Sequence, residues 1–285
     1  MAPKGVQLNL QAPAASQTPD SETCLHLKRS VWLATAVLIL TGVWLAQSPA
    51  NTSIMLGIHT LDMGSAAFWS FATQFGDAGA AFLLLLVLSR FSSAGAPMVL
   101  KCLLLGSLLS RALKYLLASP RPLGVLDPSL LSIIGDPPSG SNSMPSGHAM
   151  TAAALVCLVF WMHPKITAKP TVWIPLLAWG AVVALSRVVV GAHWPADILV
   201  GFGLGLAVAW LAWEWEQRRS WAAQVNSVPG QYLLILLEVG LVIALFASQT
   251  DTPAARLAFD LIATVGIAGA MARYASLRRR LAANR

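Results

Sequence analysis

Residues 171–213 read TVWIPLLAWGAVVALSRVVVGAHWPADILVGFGLGLAVAWLAW, two long apolar runs separated by a short polar break. Each run is close to the ~20 residues that an α-helix needs to cross the hydrocarbon core of a bilayer. The break carries Arg187, His193 and Asp197. Ionisable groups are costly so close to a bilayer core unless they pair or act on something. This stretch therefore predicts two membrane helices, with side chains that form a functional site at their junction.

Apolar runs of similar length recur along the chain, of which 56% is hydrophobic and only 11% charged. A soluble domain carries about 25% charged residues, so this composition predicts a polytopic membrane protein. We expect an all-α membrane helix bundle whose eight spans lie at about 30–46, 76–91, 97–117, 145–163, 171–190, 195–213, 230–248 and 256–274. Aromatic residues within 48–75 predict a short helix at the membrane surface.

Composition divides the chain into four parts. Residues 1–27, rich in Ala, Pro, Ser, Thr and Gln, are predicted to be a disordered cytoplasmic tail. Residues 28–213 are a predicted membrane core of six spans, 214–229 a cytoplasmic linker, and 230–285 two C-terminal spans with a basic tail. A cleaved signal peptide is the alternative for the first span, and the long polar segment before it favours a retained helix.

The basic residues predict the orientation of the spans, because Lys and Arg favour the cytoplasmic side. With a cytoplasmic N-terminus, all but five of the 19 Lys and Arg residues fall inside, and the exceptions are Arg111, Lys114, Arg121, Arg187 and Arg256. Both termini are then cytoplasmic in a multi-pass protein of the inner, or plasma, membrane. The basic clusters adjoin apolar spans, where they suit anionic headgroups. Despite the net charge of +7, we therefore expect a bilayer and a lipid as partners and no nucleic acid.

Three polar segments fall at the extracytoplasmic ends of these spans: Lys114-x6-Arg121-Pro122, Pro145-Ser146-Gly147-His148 and Ser186-Arg187-x5-His193-x3-Asp197. Arg binds phosphate with a planar fork and Lys binds it as a point charge. If the three cations converge, they would neutralise a phosphomonoester or a diphosphate. The alternative is that each cation extends to the membrane surface on its own.

The second segment has the form of a helix start, because Pro suits the first turn. Free amides of Ser146, Gly147 and His148 would then point outward and attract an anion, helped by the helix dipole. Gly147 would also let the backbone approach a ligand closely. The alternative is an ordinary helix start with a capping serine.

The two histidines, His148 and His193, both fall at outer ends of spans. One could attack phosphorus as the nucleophile, and the other could protonate the leaving oxygen. If a helix begins near Pro195, Asp197 can turn back and fix the tautomer of His193; a structural capping pair is the alternative. A metal site is disfavoured, because one carboxylate beside three cations is a poor site for a divalent ion.

Taken together and in this order, the three segments resemble the type 2 phosphatidic acid phosphatase family of integral-membrane lipid phosphatases, whose site is similar to that of vanadium haloperoxidases. Every motif position is matched, and the resemblance covers about residues 60–213. It implies that His193 is the nucleophile and forms a phosphohistidine, that Asp197 holds and polarises it, and that His148 is the general acid. It also implies that no metal or other cofactor is needed, and that the phosphate is bound by Lys114, Arg121, Ser146, Gly147 and Arg187.

This resemblance favours a lipid phosphatase whose site faces the periplasm or the outside. Undecaprenyl diphosphate is the preferred substrate, because an extracytoplasmic site suits recycling of a carrier lipid; phosphatidylglycerol phosphate, phosphatidic acid and lipid A are alternatives. A phosphotransferase could use the same phosphohistidine. A transporter is a further alternative, but interrupted helices in corresponding halves are not evident. Haloperoxidases are soluble, and the hydropathy excludes them.

Several charged residues lie outside the three segments. Arg111 precedes the first segment by one helical turn and is expected either to line the approach to the site or to form a buried pair. Glu238 falls within the seventh span, where a carboxylate must pair with another helix or be neutral. Arg256 and Asp260, four residues apart, are expected to pair locally.

Overall fold

The structure is a computed structural model, and it describes residues 21–61, 64–135, 140–250 and 252–283. Within these ranges the chain is almost wholly helical, and its α-helices are α1 (Ser21–Ala46), α2 (Ala50–Thr60), α3 (Ala66–Thr73), α4 (Ala78–Ser89), α5 (Gly95–Leu117), α6 (Gly147–Met162), α7 (Pro164–Thr167), α8 (Pro170–Val189), α9 (Pro195–Arg218), α10 (Ala222–Val225), α11 (Val228–Ala247) and α12 (Pro253–Ala283).

The long helices confirm the predicted all-α membrane bundle. Among the described residues, six helices are long and apolar enough to cross a membrane, namely α1, α5, α8, α9, α11 and α12. Helices α3 and α4 pass the same test as one broken span, bent by 64°. Helix α6 is apolar but shorter, at 16 residues. Each of the eight predicted runs overlaps one of these helices, and the protein is a multi-pass membrane protein.

Two features differ in detail from the predicted spans. The expected surface helix within 48–75 is two helices, α2 and α3, and α3 continues through a 3₁₀ turn at Gln74–Gly76 into α4. Asp77 starts α4 by capping it, with its Oδ1 accepting a hydrogen bond of 3.0 Å from the Ala80 amide. The break therefore places a polar turn between two apolar helices, at the boundary between the predicted surface helix and the predicted span at 76–91.

The boundaries of the predicted parts fall among the helices as follows. The tail at 1–27 lies outside the described residues up to position 20, and residues 21–27 belong to α1. Helix α9 continues to Arg218 and α11 begins at Val228. The predicted linker at 214–229 thus includes the last turn of α9 and the short helix α10. The division into core, linker and C-terminal spans stays a prediction.

Helix α9 is the centre of the bundle and packs against α1, α5 and α6. Two of its glycines face α6: a Cβ at Gly201 would lie 2.4 Å from the Ser146 carbonyl oxygen, and a Cβ at Gly205 would lie 2.2 Å from that of Met150. Any larger side chain would push the two helices apart. This close contact fixes the start of α6 beside the start of α9, where the second and third polar segments meet.

The C-terminal pair α11–α12 packs against α3 and α4. Its buried anchor is Arg273, whose Nη2 donates hydrogen bonds of 2.8 Å to Glu238 Oε1 and of 2.8 Å to the Leu86 carbonyl oxygen. Glu238 thus pairs with a residue of another helix, which is one of the two outcomes expected from the sequence. Arg256 donates to Asp260 Oδ1 at 2.9 Å, so the expected local pair also forms.

Candidate functional site

The three polar segments meet at one end of the bundle. The end of α5, the start of α6, the end of α8 and the start of α9 all reach this end. The loop between α5 and α6 is tied to the α8–α9 junction, because Trp194 Nε1 donates a 2.9 Å hydrogen bond to the Pro120 carbonyl oxygen. Residues that are up to 83 positions apart in the sequence, Lys114 to Asp197, are thereby brought into one small region.

The centre of this region is a buried group of three side chains, His193, Asp197 and Ser143. His193 Nδ1 lies 3.2 Å from Asp197 Oδ2 and 3.2 Å from the Ser143 hydroxyl oxygen. The Ser143 hydroxyl also donates a short hydrogen bond to Asp197 Oδ2. All three residues are buried, with an exposed fraction of 2% or less. Because Asp197 is the third residue of α9, its carboxylate turns back and also accepts a 2.9 Å bond from the Trp194 amide.

This arrangement selects one tautomer of His193. A carboxylate accepts hydrogen bonds and cannot donate them, so the proton of a neutral His193 sits on Nδ1 and points to Asp197. The other ring nitrogen, Nε2, then carries a lone pair. Burial lowers the pKa of His193 well below its ordinary value of 6.5, and the three neighbouring cations lower it further. His193 is therefore neutral near pH 7, with Nε2 able to act as a nucleophile.

Arg121 and Lys114 lie on the Nε2 side of this group. Arg121 Nη1 is 3.3 Å from His193 Nε2, and it donates to the Ala192 carbonyl oxygen at 2.7 Å. Lys114 Nζ donates to the carbonyl oxygen of Asn142 at 3.1 Å. Both side chains are partly exposed. Each cation is thus held at its place by backbone carbonyls.

Arg187, the third cation, enters from the end of α8. Its Nη1 donates a 2.7 Å hydrogen bond to the Thr73 hydroxyl, at the end of α3. Its Nε is buried and has no partner in the part of the chain that the structure describes. An unpaired buried donor costs about 1–3 kcal/mol, and more when it is charged. A bound anion at this place would satisfy it.

The start of α6 differs in one respect from its prediction. The Ser146 amide is not free, because it donates a 3.0 Å hydrogen bond to the Asp197 carbonyl oxygen. The Ser146 hydroxyl accepts a 3.4 Å hydrogen bond from the Ala149 amide and caps the helix. This agrees with the alternative prediction of a helix start with a capping serine. Its hydroxyl hydrogen remains available to an anion. The amides of Gly147 and His148 make no hydrogen bond within the described ranges, so two of the three expected amides are open.

The imidazole of His148 makes no hydrogen bond with the side chains or backbone of the described residues. It packs against the turn before α4, where a Cβ at Gly76 would come within 2.9 Å of His148 Cβ. The histidine also lines a cavity of about 330 Å³ between α4, α5 and α6, together with Gly147 and Arg111. The structure therefore brings His193, Asp197, Arg121 and Lys114 into a connected group, while His148 and Arg187 border it.

Three residues of this region were not singled out by the sequence: Ser143, Asn142 and Thr73. Ser143 and Asn142 belong to a polar loop with several serines, and no spacing distinguishes them from Ser141. Thr73 lies in an aromatic segment that predicts only a surface helix. Position in space, rather than motif, identifies them.

The fold and this region define a class: a multi-pass membrane protein with a buried histidine–carboxylate pair beside three cations at one end of the bundle. Within that class, the model of the PAP2 superfamily matches residues 95–221. The match begins at α5 and includes all three polar segments. It confirms the family resemblance over that segment, while residues 60–94 of the expected range lie outside it.

Three known proteins are similar to the chain. The undecaprenyl-diphosphatase of Sulfolobus acidocaldarius is 30% identical over 129 residues, which is 45% of this chain and 58% of that protein. The chain thus spans less than two thirds of the length of that curated relative. A transmembrane PAP2-type phosphatidylglycerolphosphate phosphatase from Bacillus subtilis is 23% identical, with a TM-score of 0.48 over 67% of this chain and 96% of that one. Aquifex aeolicus LpxE is 20% identical, with a TM-score of 0.49 over 59% of this chain and 97% of that one.

Proposed function

We propose that this protein is a membrane lipid phosphatase that hydrolyses a phosphoester or diphosphate bond through a phosphohistidine on His193. The observation that carries the proposal is the geometry of His193, whose Nδ1 lies 3.2 Å from Asp197 Oδ2 and whose Nε2 lies 3.3 Å from Arg121 Nη1. A nucleophilic nitrogen next to cationic side chains suits an anionic phosphoryl group.

In the first step, His193 Nε2 attacks phosphorus and the bond from phosphorus to the leaving oxygen breaks. The positive charge that develops on the imidazole is balanced by Asp197, which accepts the Nδ1–H hydrogen bond. Lys114, Arg121 and Arg187 hold the phosphoryl oxygens, together with the Ser146 hydroxyl and the amide of Gly147. His148 donates a proton to the leaving oxygen when that oxygen needs one.

In the second step, a water molecule attacks the phosphorus of the phosphohistidine. His148, now deprotonated, takes a proton from the water, the N–P bond breaks, and inorganic phosphate is released. His193 returns to its neutral form with the proton still on Nδ1. Every proton-transfer and charge-stabilising role is filled by a side chain or amide of this chain, so the mechanism requires no metal or other cofactor.

The substrate that we propose is a lipid diphosphate, with undecaprenyl diphosphate as the first candidate. The name of the relative from Sulfolobus acidocaldarius and the matched PAP2 segment support this choice. We also propose that the site faces the periplasm or the outside of an inner (plasma) membrane, with both termini in the cytoplasm. The support is the distribution of Lys and Arg, which are scarce at the site's end of the spans apart from the site's own cations.

The proposal is tested by phosphate release from purified protein in detergent, with a chelator present and a panel of lipid phosphates and diphosphates as substrates. We expect release from a diphosphate without added metal, and its loss in His193→Ala. Full activity of His193→Ala, or a strict need for added metal, would overturn the mechanism. Transfer of labelled phosphate to an acceptor lipid without release of free phosphate would identify a phosphotransferase instead.

A further inference from the structure

A polar stripe runs along one face of α5, away from the site and into the membrane region. Ser107, Ser110, Arg111 and Lys114 stand at positions i, i+3, i+4 and i+7 of the helix, so their side chains share one face. Lys114 ends this stripe at the site. The other three residues line the cavity between α4, α5 and α6.

The cavity reaches the start of α6, which borders the site. Gly147 and His148 line it, and a Cβ at Gly147 would lie 4.0 Å from the Ser110 hydroxyl oxygen. Most of the remaining lining is apolar, as expected for a space that receives part of a lipid. The start of α6, with its two open amides, therefore adjoins the polar face of α5.

Arg111 is the cation of this cavity that the mechanism above does not use. Its side chain is exposed and makes no hydrogen bond or ion pair with any residue in the described ranges. It lies six residues before the end of α5, or ~9 Å along the helix axis. Asp77 also lines the cavity, but it forms no ion pair with Arg111, and its Oδ1 caps α4. An unpaired cation at this depth is costly in a bilayer and marks a functional site unless its side chain extends to the surface.

We propose that Arg111 and the Ser110 hydroxyl bind the phosphate that stays on the lipid when a diphosphate is cleaved, an inference that rests on the proposed phosphatase function. The cavity lies on the His148 side of the site, which is the side of the leaving group. An alcohol must take up a proton as it leaves. A phosphate can leave as an anion if a cation receives its charge, and Arg111 is such a cation.

The reaction balances as follows. His193 Nε2 forms a bond to the terminal phosphorus, and the bond between that phosphorus and the bridging oxygen breaks. The bridging oxygen keeps the electron pair and becomes an oxygen of the lipid monophosphate, whose added charge Arg111 stabilises. His148 can supply a proton to that oxygen. In the second step, the attacking water gives a proton back to His148.

The test compares two substrates that share one chain, farnesyl diphosphate and farnesyl monophosphate, with purified full-length protein in detergent. A hydrogen bond between charged groups contributes enough to alter a rate roughly ten- to a hundredfold. We therefore expect Arg111→Gln to lower the ratio of kcat/KM for the diphosphate to that for the monophosphate by this factor, and Arg111→Lys to recover part of it. Arg90→Gln, which removes a cation from the other end of α4, should leave the ratio unchanged.

A second readout covers the case in which the monophosphate is too poor a substrate. Competitive inhibition by methylenediphosphonate, which cannot be hydrolysed, should weaken in Arg111→Gln by more than inhibition by orthophosphate does. Equal changes for both inhibitors, or an unchanged substrate ratio, would show that Arg111 only extends to the membrane surface. If wild type hydrolyses neither substrate, or His193→Ala remains active, the phosphatase mechanism fails before Arg111 is in question.

Discussion

Replacing Ser143 by alanine removes one hydroxyl from the buried group around His193 and little else. The Ser143 hydroxyl donates to Asp197 Oδ2 and lies 3.2 Å from His193 Nδ1. In Ser143→Ala the carboxylate keeps its bonds from the Trp194 amide at 2.9 Å and from His193 at 3.2 Å. The orientation of the carboxylate is then less restricted, and with it the orientation of the imidazole. Ser143 thus acts as a positioning residue.

The magnitude follows from the charge and the burial of the acceptor. A hydrogen bond to a charged group contributes about 1.5–3 kcal/mol, and a tenfold change in rate corresponds to about 1.4 kcal/mol. If the bond acts fully in the transition state, Ser143→Ala lowers kcat roughly ten- to a hundredfold. Binding of the lipid phosphate depends on the cations and not on Ser143, so KM should change by less than about threefold.

The assay is steady-state phosphate release, with kcat and KM determined separately for wild type, Ser143→Ala and Ser141→Ala. Ser141 is the matched control, because it lies in the same loop, is exposed, and contacts only Asn142 through its side chain. Wild-type kcat in Ser143→Ala, or a loss confined to KM, would refute the idea that this hydroxyl orients the Asp197–His193 pair.

Two further predictions follow from charges in the structure. Because burial and then the nearby cations hold the pKa of His193 well below 6.5, the neutral nucleophile persists as the pH falls, and kcat/KM should decline only below that value. In Arg121→Gln, one cation is gone, the pKa of His193 rises, and the acid limb should move to higher pH when measured with the same substrate; an unmoved limb would mean that another group controls it. Removing one partner of the buried Glu238–Arg273 pair leaves an uncompensated charge and should cost about 3–5 kcal/mol, whereas Glu238→Leu with Arg273→Met should cost less. Thermal unfolding in detergent checks this, and equal destabilisation by Glu238→Ala and by the double variant would contradict it.

The sequence predicts the bundle well because each span is a long apolar run with a charge at its ends. It predicts the α3–α4 region less well. There, aromatic residues suit either a surface helix or a membrane helix, and the bend depends on the Asp77 cap and on packing against α12. The length of α9 is also underestimated, since its last turn carries Glu214 and Arg218, a polar pair that resembles a linker but forms an i,i+4 ion pair.

The site is predictable to the extent that its chemistry is rare in a membrane. Histidines, cations and a carboxylate are conspicuous between apolar runs, so the motif residues can be found without a structure. Serine, asparagine and threonine are common in loops and at helix ends, and nothing in their spacing marks Ser143 or Thr73. The Ser146 amide donates its hydrogen bond to Asp197, which is 51 positions away in the sequence. This contact depends on the close packing of α6 and α9, which no local pattern predicts.

The most direct test of the central claim is a rapid-quench measurement of phosphate bound to the protein. Wild-type protein is mixed with a lipid diphosphate labelled at the terminal phosphate, quenched in alkali within one turnover, digested and sequenced by mass spectrometry. We predict an acid-labile, alkali-stable phosphate on His193, formed as fast as the lipid product appears and absent from His193→Ala. Product formation at the normal rate with no labelled histidine, or with the label on His148, would contradict the mechanism.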